Sequence, residues 1–346
     1  MYKEIKKQQK VSGILTTYNG DRTLDECLNN FFAQDYPKDK MELIIADGGS
    51  TDKTLDIIKK YIKKYPKIIK FFHNEKKYKI GKGMGMDTAS RKATGEILLL
   101  FDQDNILIQK NWLSSMVSIL NSNKEISGVQ SRMAVPKKGP LVDKYLSAIG
   151  IEDPFAIPYS LNSQIVFNPD KFKYDKKIES YIYTFSKDNF YYCGDNGFII
   201  WKSILLENGG YTQDIDNAYR MALSKKKYSV AVPKNLKIHH KTSTELKHFL
   251  KKRVFYIKNY IHINKKGRDF EWFSPNNSFS QNSKFILSIL YNLSFFPAFF
   301  QSIHYALKEK RPFWLIHSFM LEVITLSYIF SFILAKFTKS IAEAKV

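Results

Sequence analysis

Along the first hundred residues, short apolar runs alternate with amphipathic stretches. Val11 to Asn19 has the pattern of a strand running into a turn, and Arg22 to Ala33 carries Leu24, Cys27, Leu28, Phe31 and Phe32 at helical spacing. Met41 to Ala46 forms a second strand pattern. It ends in the polar turn Asp47-Gly48-Gly49-Ser50-Thr51-Asp52, where Ser50 or Thr51 is placed to cap a helix over 52–65. A strand over 68–72, a helix over 85–93 and a strand over 96–101 follow. This alternation predicts an α/β fold, a mostly parallel sheet with helices on both faces.

Past residue 105 the pattern loosens. A helix is expected over 112–120, a strand over 129–133 and a Pro- and Gly-containing insert over 136–158. Strand-like aromatic and β-branched residues return over 190–201, interrupted by Gly194-Asp195-Asn196-Gly197. A helix over 214–223, strands over 228–232 and 237–240, and a long basic helix over 244–263 complete this part. Two apolar segments then run over 285–307 and 313–335, each close to the ~20 residues that a bilayer span requires. The division expected is a catalytic domain over 1–265 and two apolar membrane-associated helices over 283–337. Within the former, 11–105 forms a nucleotide-binding half and 106–265 an acceptor half.

The formal charge of +21 over 346 residues brings nucleic acid to mind, because Lys and Arg neutralise phosphates. The lysines, however, are scattered over the whole chain, and no helix-turn-helix, zinc-finger or ribonucleoprotein pattern focuses them. An anionic membrane surface is the better-matched partner. Two cysteines, Cys27 and Cys193, provide neither a disulfide framework nor a zinc pattern. The charged N-terminus lacks the apolar core of a signal peptide, so the catalytic part is expected at the cytoplasmic face of a membrane. The tail carries Asn292, Pro297, Gln301, His304 and Glu322. A two-span hairpin would also place Lys308, Lys310 and Arg311 outside, against the positive-inside tendency. Spanning and lying flat both remain open, and the same exposed stripes would serve a homo-oligomer.

The most informative chemistry follows the fourth strand, where Leu98-Leu99-Leu100-Phe101 ends abruptly in Asp102-Gln103-Asp104-Asn105. Ligands in open α/β sheets sit at the carboxyl ends of strands. Two carboxylates one residue apart suit Mg²⁺ or Mn²⁺ bridged to phosphate oxygens. His239 and His240 end a later strand, and alternation sends only one of them inward. Asp214 and Asp216 open a helix, where acids also complement the macrodipole.

Five elements occur in order: Thr16-Thr17-Tyr18-Asn19, Asp47 to Asp52, Asp102-Gln103-Asp104, Gln213 to Arg220, and His239-His240. Together they resemble the family 2 glycosyltransferases of the GT-A fold, over roughly residues 11–260. The resemblance implies inverting transfer of one sugar from a nucleotide-diphospho-sugar, UDP- or GDP-linked, to a lipid-linked or membrane-proximal glycan acceptor. It implies Thr17, Tyr18, Asn19, Asp47, Lys82 and Asp102 around the nucleotide, and Asp102, Asp104 and His240 around the metal. Asp214 matches the catalytic base, with Asp216 and Arg220 as acceptor contacts or support.

Three departures qualify the match. Gln213 stands where the pattern has Glu, and Asp87-Thr88 stands where relatives carry Ala-Arg-Asn, leaving Lys82 or Arg91 to supply the positive charge. The helix at Phe249 to Val254 lacks Gln-X-X-Arg-Trp, which favours single addition over polymer synthesis. The first two departures leave a second reading open, a catalytically silent membrane-associated binding scaffold.

Overall fold

In a computed structural model, the protein is described for residues 8–74, 78–150, 172–187, 190–191, 193–241, 245–262 and 269–342. The expected insert over 136–158 falls partly outside these residues, as do both ends of the basic helix expected over 244–263. The chain divides into two compact units. The first comprises residues 1–134 and 163–241, the second residues 135–162 and 242–346.

The first unit opens with β1 (Val11–Thr17), α1 (Leu24–Phe32), β2 (Met41–Asp47), α2 (Thr54–Lys64), β3 (Ile69–His73), α3 (Tyr78–Lys92) and β4 (Ile97–Asp102). It continues through β5 (Asn105–Leu107), α4 (Trp112–Ser122), β6 (Ile126–Gln130) and β7 (Arg132–Met133). After α5 (Leu141–Ile149), which belongs to the second unit, come β8 (Lys173–Asp175), β9 (Ser180–Thr184), β10 (Phe198–Trp201), α6 (Lys202–Glu207), α7 (Asp214–Leu223), β11 (Ser229–Pro233) and β12 (Lys237–His240).

The main sheet has nine strands in the order β3-β2-β1-β4-β10-β6-β11-β9-β8. The β3-β2-β1-β4 half is parallel, whereas β10 runs antiparallel to both β4 and β6. Ile97 to Phe101 are fully buried at the centre of the sheet. Each such side chain contributes about 1.5–3 kcal/mol of burial free energy, which explains the uninterrupted apolar run. One face packs Leu99 and Phe101 with α1 and α4, and Phe31 stacks on Phe101 at 5.6 Å. The alternate face meets α3, whose Met86 and Ala89 are buried. Parallel register brings Thr17 beside Asp47 and Thr16 beside Asp102, so three strand ends converge.

Several boundaries differ from expectation for local reasons. Helix α3 begins at Tyr78, not at residue 85, although Gly81, Gly83 and Gly85 lie within it. Close packing accounts for Gly83, since a Cβ there would come within 1.9 Å of the Thr212 carbonyl oxygen. Neither Ser50 nor Thr51 caps α2; Ser50 turns to Asp47, and the Thr54 amide donates to Asp52 instead. The aromatic stretch over 190–201 contributes only the short β10, and β8 and β9 form an unforeseen antiparallel edge.

The second unit contains α5, α8 (Leu246–His262), α9 (Phe279–Leu293), α10 (Phe296–Glu309) and α11 (His317–Ala342). Ser278 and Gln281 form a reciprocal capping box at the start of α9. The first apolar segment is not one rod. It breaks at Ser294-Phe295, where Phe295 has φ 54° and Pro297 starts the next helix, and the two halves meet at 74°. Pro312–Leu334 is the single helix among the described residues long and apolar enough to cross a membrane by itself.

Candidate functional site

The site is built at the carboxyl ends of β1, β2 and β4, within the first unit. The two carboxylates of the Asp102-Gln103-Asp104 turn go to different partners. Asp102 Oδ2 lies 2.6 Å from Lys82 Nζ, which also lies 2.9 Å from Asp195 Oδ2. Asp104 Oδ2 lies 3.3 Å from His240 Nε2. Between them, Gln103 turns back and pairs its amide with the Tyr18 backbone, donating to the carbonyl and accepting from the N–H.

Asn105 holds this arrangement together. It is fully buried, accepts from the Asp102 amide, and donates to Asp104 Oδ1 and Asn196 Oδ1. One oxygen of Asp104 is thereby held while the other faces His240. Strand β12 fixes the histidine, because His240 pairs with Asn105 and the Lys241 amide donates to the Asp104 carbonyl. His240 is buried and is the histidine that meets Asp104; His239 is half-buried.

Two carboxylates, Asp102 and Asp195, hold one ammonium, and Asp104 lies beside them with His240. Burial opposes the charge on Lys82, but Asp102 and Asp195 prevail and hold its pKa well above the usual lysine range. Burial pushes Asp102 up to about 6, with Asp195 and Asp104 adding to the rise and Lys82 resisting it. The cluster retains excess negative charge beside a carboxylate–imidazole pair, which fits a divalent cation. Among the described residues no group of three His, Cys, Asp or Glu forms a cage. Phosphate oxygens and water would therefore complete the coordination, as Mg²⁺ and Mn²⁺ sites commonly require. Asp102, expected at both the metal and the nucleotide, lies against Lys82.

The nucleotide-side residues form a knitted wall. Asp47 is fully buried and accepts four hydrogen bonds, from Thr17 Oγ1, Ser50 Oγ and the amides of Gly49 and Ser50. Its acceptor positions are occupied by Thr17 of β1 and by its own turn, so the carboxylate expected at the base also fixes the turn that follows β2. Asn19, at φ 45°, accepts from the Thr51 amide and donates its own amide to Ser50 Oγ.

Helix α7 begins at Asp214, whose side chain lies outside the described residues. The approach to it is fixed from α3. Asp87 accepts from the Tyr211 amide at 2.9 Å and from Arg91 Nε at 2.8 Å, while Gly83 lies against Thr212. Gly210, at φ 80°, is required there, since a Cβ would come within 2.1 Å of Asp87. Lys82 and Gly83 are adjacent, so one turn of α3 meets both Asp102 and the residues leading to Asp214. Of the two expected cations, Lys82 reaches the site and Arg91 is tied to Asp87. Arg220 donates to the Gly210 carbonyl, supporting this loop. Asp216 is fully buried, which suits support and not contact with an acceptor.

Sequence reasoning missed the roles of Asp195, Asn105 and Asp87. The glycine-flanked Gly194-Asp195-Asn196-Gly197 interruption was the signal for the first, and the amide directly after Asp104 for the second.

The profile of the family described as "Glycosyl transferase family 2" matches residues 12–206. A Methanococcus voltae relative, dolichyl N-acetyl-alpha-D-glucosaminyl phosphate 3-beta-D-2,3-diacetamido-2,3-dideoxy-beta-D-glucuronosyltransferase, is 26% identical over 257 residues, covering 71% of each chain. The Staphylococcus aureus poly(ribitol-phosphate) beta-N-acetylglucosaminyltransferase TarS is 33% identical over 115 residues, covering 33% of this chain but 19% of its own. Among solved structures, the mannosyltransferase PcManGT from Pyrobaculum calidifontis in complex with GDP-Man and Mn²⁺ superposes with a TM-score of 0.54 at 17% identity, covering 94% of this chain and 88% of that one. The fold is thus that of a known sugar transferase, the strand-end site lies where such a sheet binds ligands, and the matched region includes the Asp102-Gln103-Asp104 turn: the chain belongs to glycosyl transferase family 2.

Proposed function

We propose that the protein is an inverting, divalent-metal-dependent glycosyltransferase moving one sugar from a nucleotide-diphospho-sugar to a lipid-linked or membrane-proximal acceptor. The observation that carries this reading is the Asp104–His240 pair at the end of β4, beside two further carboxylates and one ammonium. The names of the relatives supply chemistry in the same direction: the Methanococcus voltae protein is named for a dolichyl-linked sugar phosphate, and PcManGT binds GDP-Man with Mn²⁺.

Asp104 and His240 would hold Mg²⁺ or Mn²⁺, which when bound neutralises charge on the departing diphosphate. Lys82 adds a fixed positive charge beside Asp102, replacing the cation missing from the Asp87-Thr88 segment. The turns at 17–20 and 47–54 form the wall for the nucleotide. Asp214, at the first position of α7, takes the proton from the acceptor hydroxyl as the sugar carbon is attacked from the opposite face. Asp216 and Arg220 support that helix start.

The test is transfer from UDP- and GDP-sugars to polyprenyl-linked acceptors with and without Mn²⁺. Metal-dependent product that disappears in Asp104→Ala supports the reading. Undiminished, metal-independent transfer in that variant removes the cation site, and no donor binding or turnover by the wild type leaves the scaffold reading in its place.

A further inference from the structure

Within the second unit, α9 and α10 bury small and polar residues and expose large apolar ones, while α11 and the turn before it bury Trp314, Met320, Leu321 and Ile324 together with polar residues. The buried positions of α9 are Ser288 and Asn292, whereas Ile286, Leu287 and Leu290 are exposed. On α10, Ala298, Ser302 and Tyr305 face inward while Phe296, Phe300 and Leu307 are 66–74% exposed. On α11, Phe319, Leu326 and Phe330 point outward. The interior is joined by polar contacts. Asn292 donates to Thr325 Oγ1 at 3.0 Å, the Ser318 amide donates to Ser302 Oγ at 3.2 Å, and Gln301 Oε1 bridges Tyr291 and His317, which in turn meets the Tyr145 hydroxyl. Small and polar residues between helices, with apolar residues outside, are the arrangement expected when the surrounding solvent is lipid.

We propose that α9, α10 and α11 form a bundle seated in a lipid bilayer, with α11 crossing once and the bent α9–α10 pair entering and leaving by the same face. Lengths set this division. With 15 and 14 residues, α9 and α10 extend ~22 and ~21 Å, short of the ~30 Å hydrocarbon core. Pro312–Leu334, at 23 residues, is long enough. With both halves inclined to the membrane plane, a 74° bend between them brings Lys308, Lys310 and Arg311 back to the face from which α9 starts, at a depth well short of a full span. That removes the conflict with the positive-inside tendency which a two-span hairpin creates. The inference rests on the membrane-proximal acceptor reading and adds how the chain is held there.

The test uses the full-length chain in membrane vesicles of both orientations and a membrane-impermeant maleimide, with single cysteines at Lys59→Cys, Lys310→Cys and Lys345→Cys. Both native cysteines are buried, so the unsubstituted chain gives the labelling background. We expect Lys59→Cys and Lys310→Cys to label from one side and Lys345→Cys from the other, with the protein retained after salt and alkaline washes and released by detergent. Any other partition of the three labels overturns the proposal, as does salt release of a soluble monomer or of a dimer burying these faces in itself. Assaying the same preparations for sugar transfer distinguishes a failed topology from a failed reaction.

Discussion

The two units treat apolar surface in opposite ways. Among the described residues, four large exposed hydrophobics, Met84, Ile108, Tyr174 and Leu223, lie in the first unit, whereas the second carries eighteen. In the first, polar groups gather at strand ends and are tied to one another there, as at Asp47, Asn105 and Lys82. In the second, polar groups such as Asn292 and Thr325 lie between helices beside Trp314, Met320, Leu321 and Ile324, while many further large apolar residues face out. The first unit gathers its charged cluster at the carboxyl ends of its strands, where the reaction is proposed; the second presents the apolar surface proposed for attachment.

This contrast can be broken at several points. Asp104→Ala should lower transfer by roughly 10³-fold or more, since electrostatic stabilisation by a cation contributes several kcal/mol; steady-state kinetics with detergent-solubilised protein will show it, with membrane retention unchanged. Asp214→Asn should reduce kcat by roughly 10²–10⁴-fold while donor binding is kept. Equal turnover in that variant would remove the proposed base.

Glu42 offers a test of the first unit's fold that the second does not share. Burial alone would raise its pKa, but Lys70, Ser12 and the Thr94 amide and hydroxyl outweigh burial and hold it at about 2. Its folded-state pKa lies below the ordinary carboxylate value. Its contribution, about 3 kcal/mol, is therefore full above about pH 4.5 and lost as pH falls toward 2. Acid unfolding followed by circular dichroism should lose this component in Glu42→Gln, which is also less stable at neutral pH.

Asn105→Ala should weaken Mn²⁺ affinity about 10- to 100-fold, as loss of a partner that orients a ligand commonly does; titration calorimetry in the presence of nucleotide measures it. The smallest expected effect is Leu287→Ser, within about 0.5 kcal/mol of wild type for the first unit's stability in detergent. Retention in vesicles, read by flotation, should be unchanged, since the whole bundle and not one side chain holds the chain there; a loss of the first unit's stability of more than about 1 kcal/mol would show Leu287 packed in a protein core and reverse the assignment of the two surfaces.

The strands and helices up to Asp104 were legible because burial on both faces demands an unbroken apolar run and helices demand a 3.6-residue period, as in Ile97 to Phe101 and Leu24 to Phe32. The early start of α3 was hidden, since Gly81, Gly83 and Gly85 resemble a loop until the Thr212 backbone is placed against Gly83. Asp195 was obscured for a similar reason: a Gly-Asp-Asn-Gly segment looks like any turn, and its pairing with Lys82 joins positions 113 apart in sequence. The choice between His239 and His240 required the β12–β5 register, which no local pattern contains. In the tail, composition alone showed the apolar segments, while the corner at Phe295 depended on local backbone geometry next to Pro297.

The central claim is that a cation held beside Asp104 completes the donor site. The most direct measurement is the thermal shift given by UDP and GDP with and without Mn²⁺, in the wild type and in Asp104→Ala, because stabilisation grows with the logarithm of ligand concentration over Kd. A nucleotide-dependent rise that requires Mn²⁺ and vanishes in the variant is expected. An equal rise without metal, or in Asp104→Ala, would contradict it.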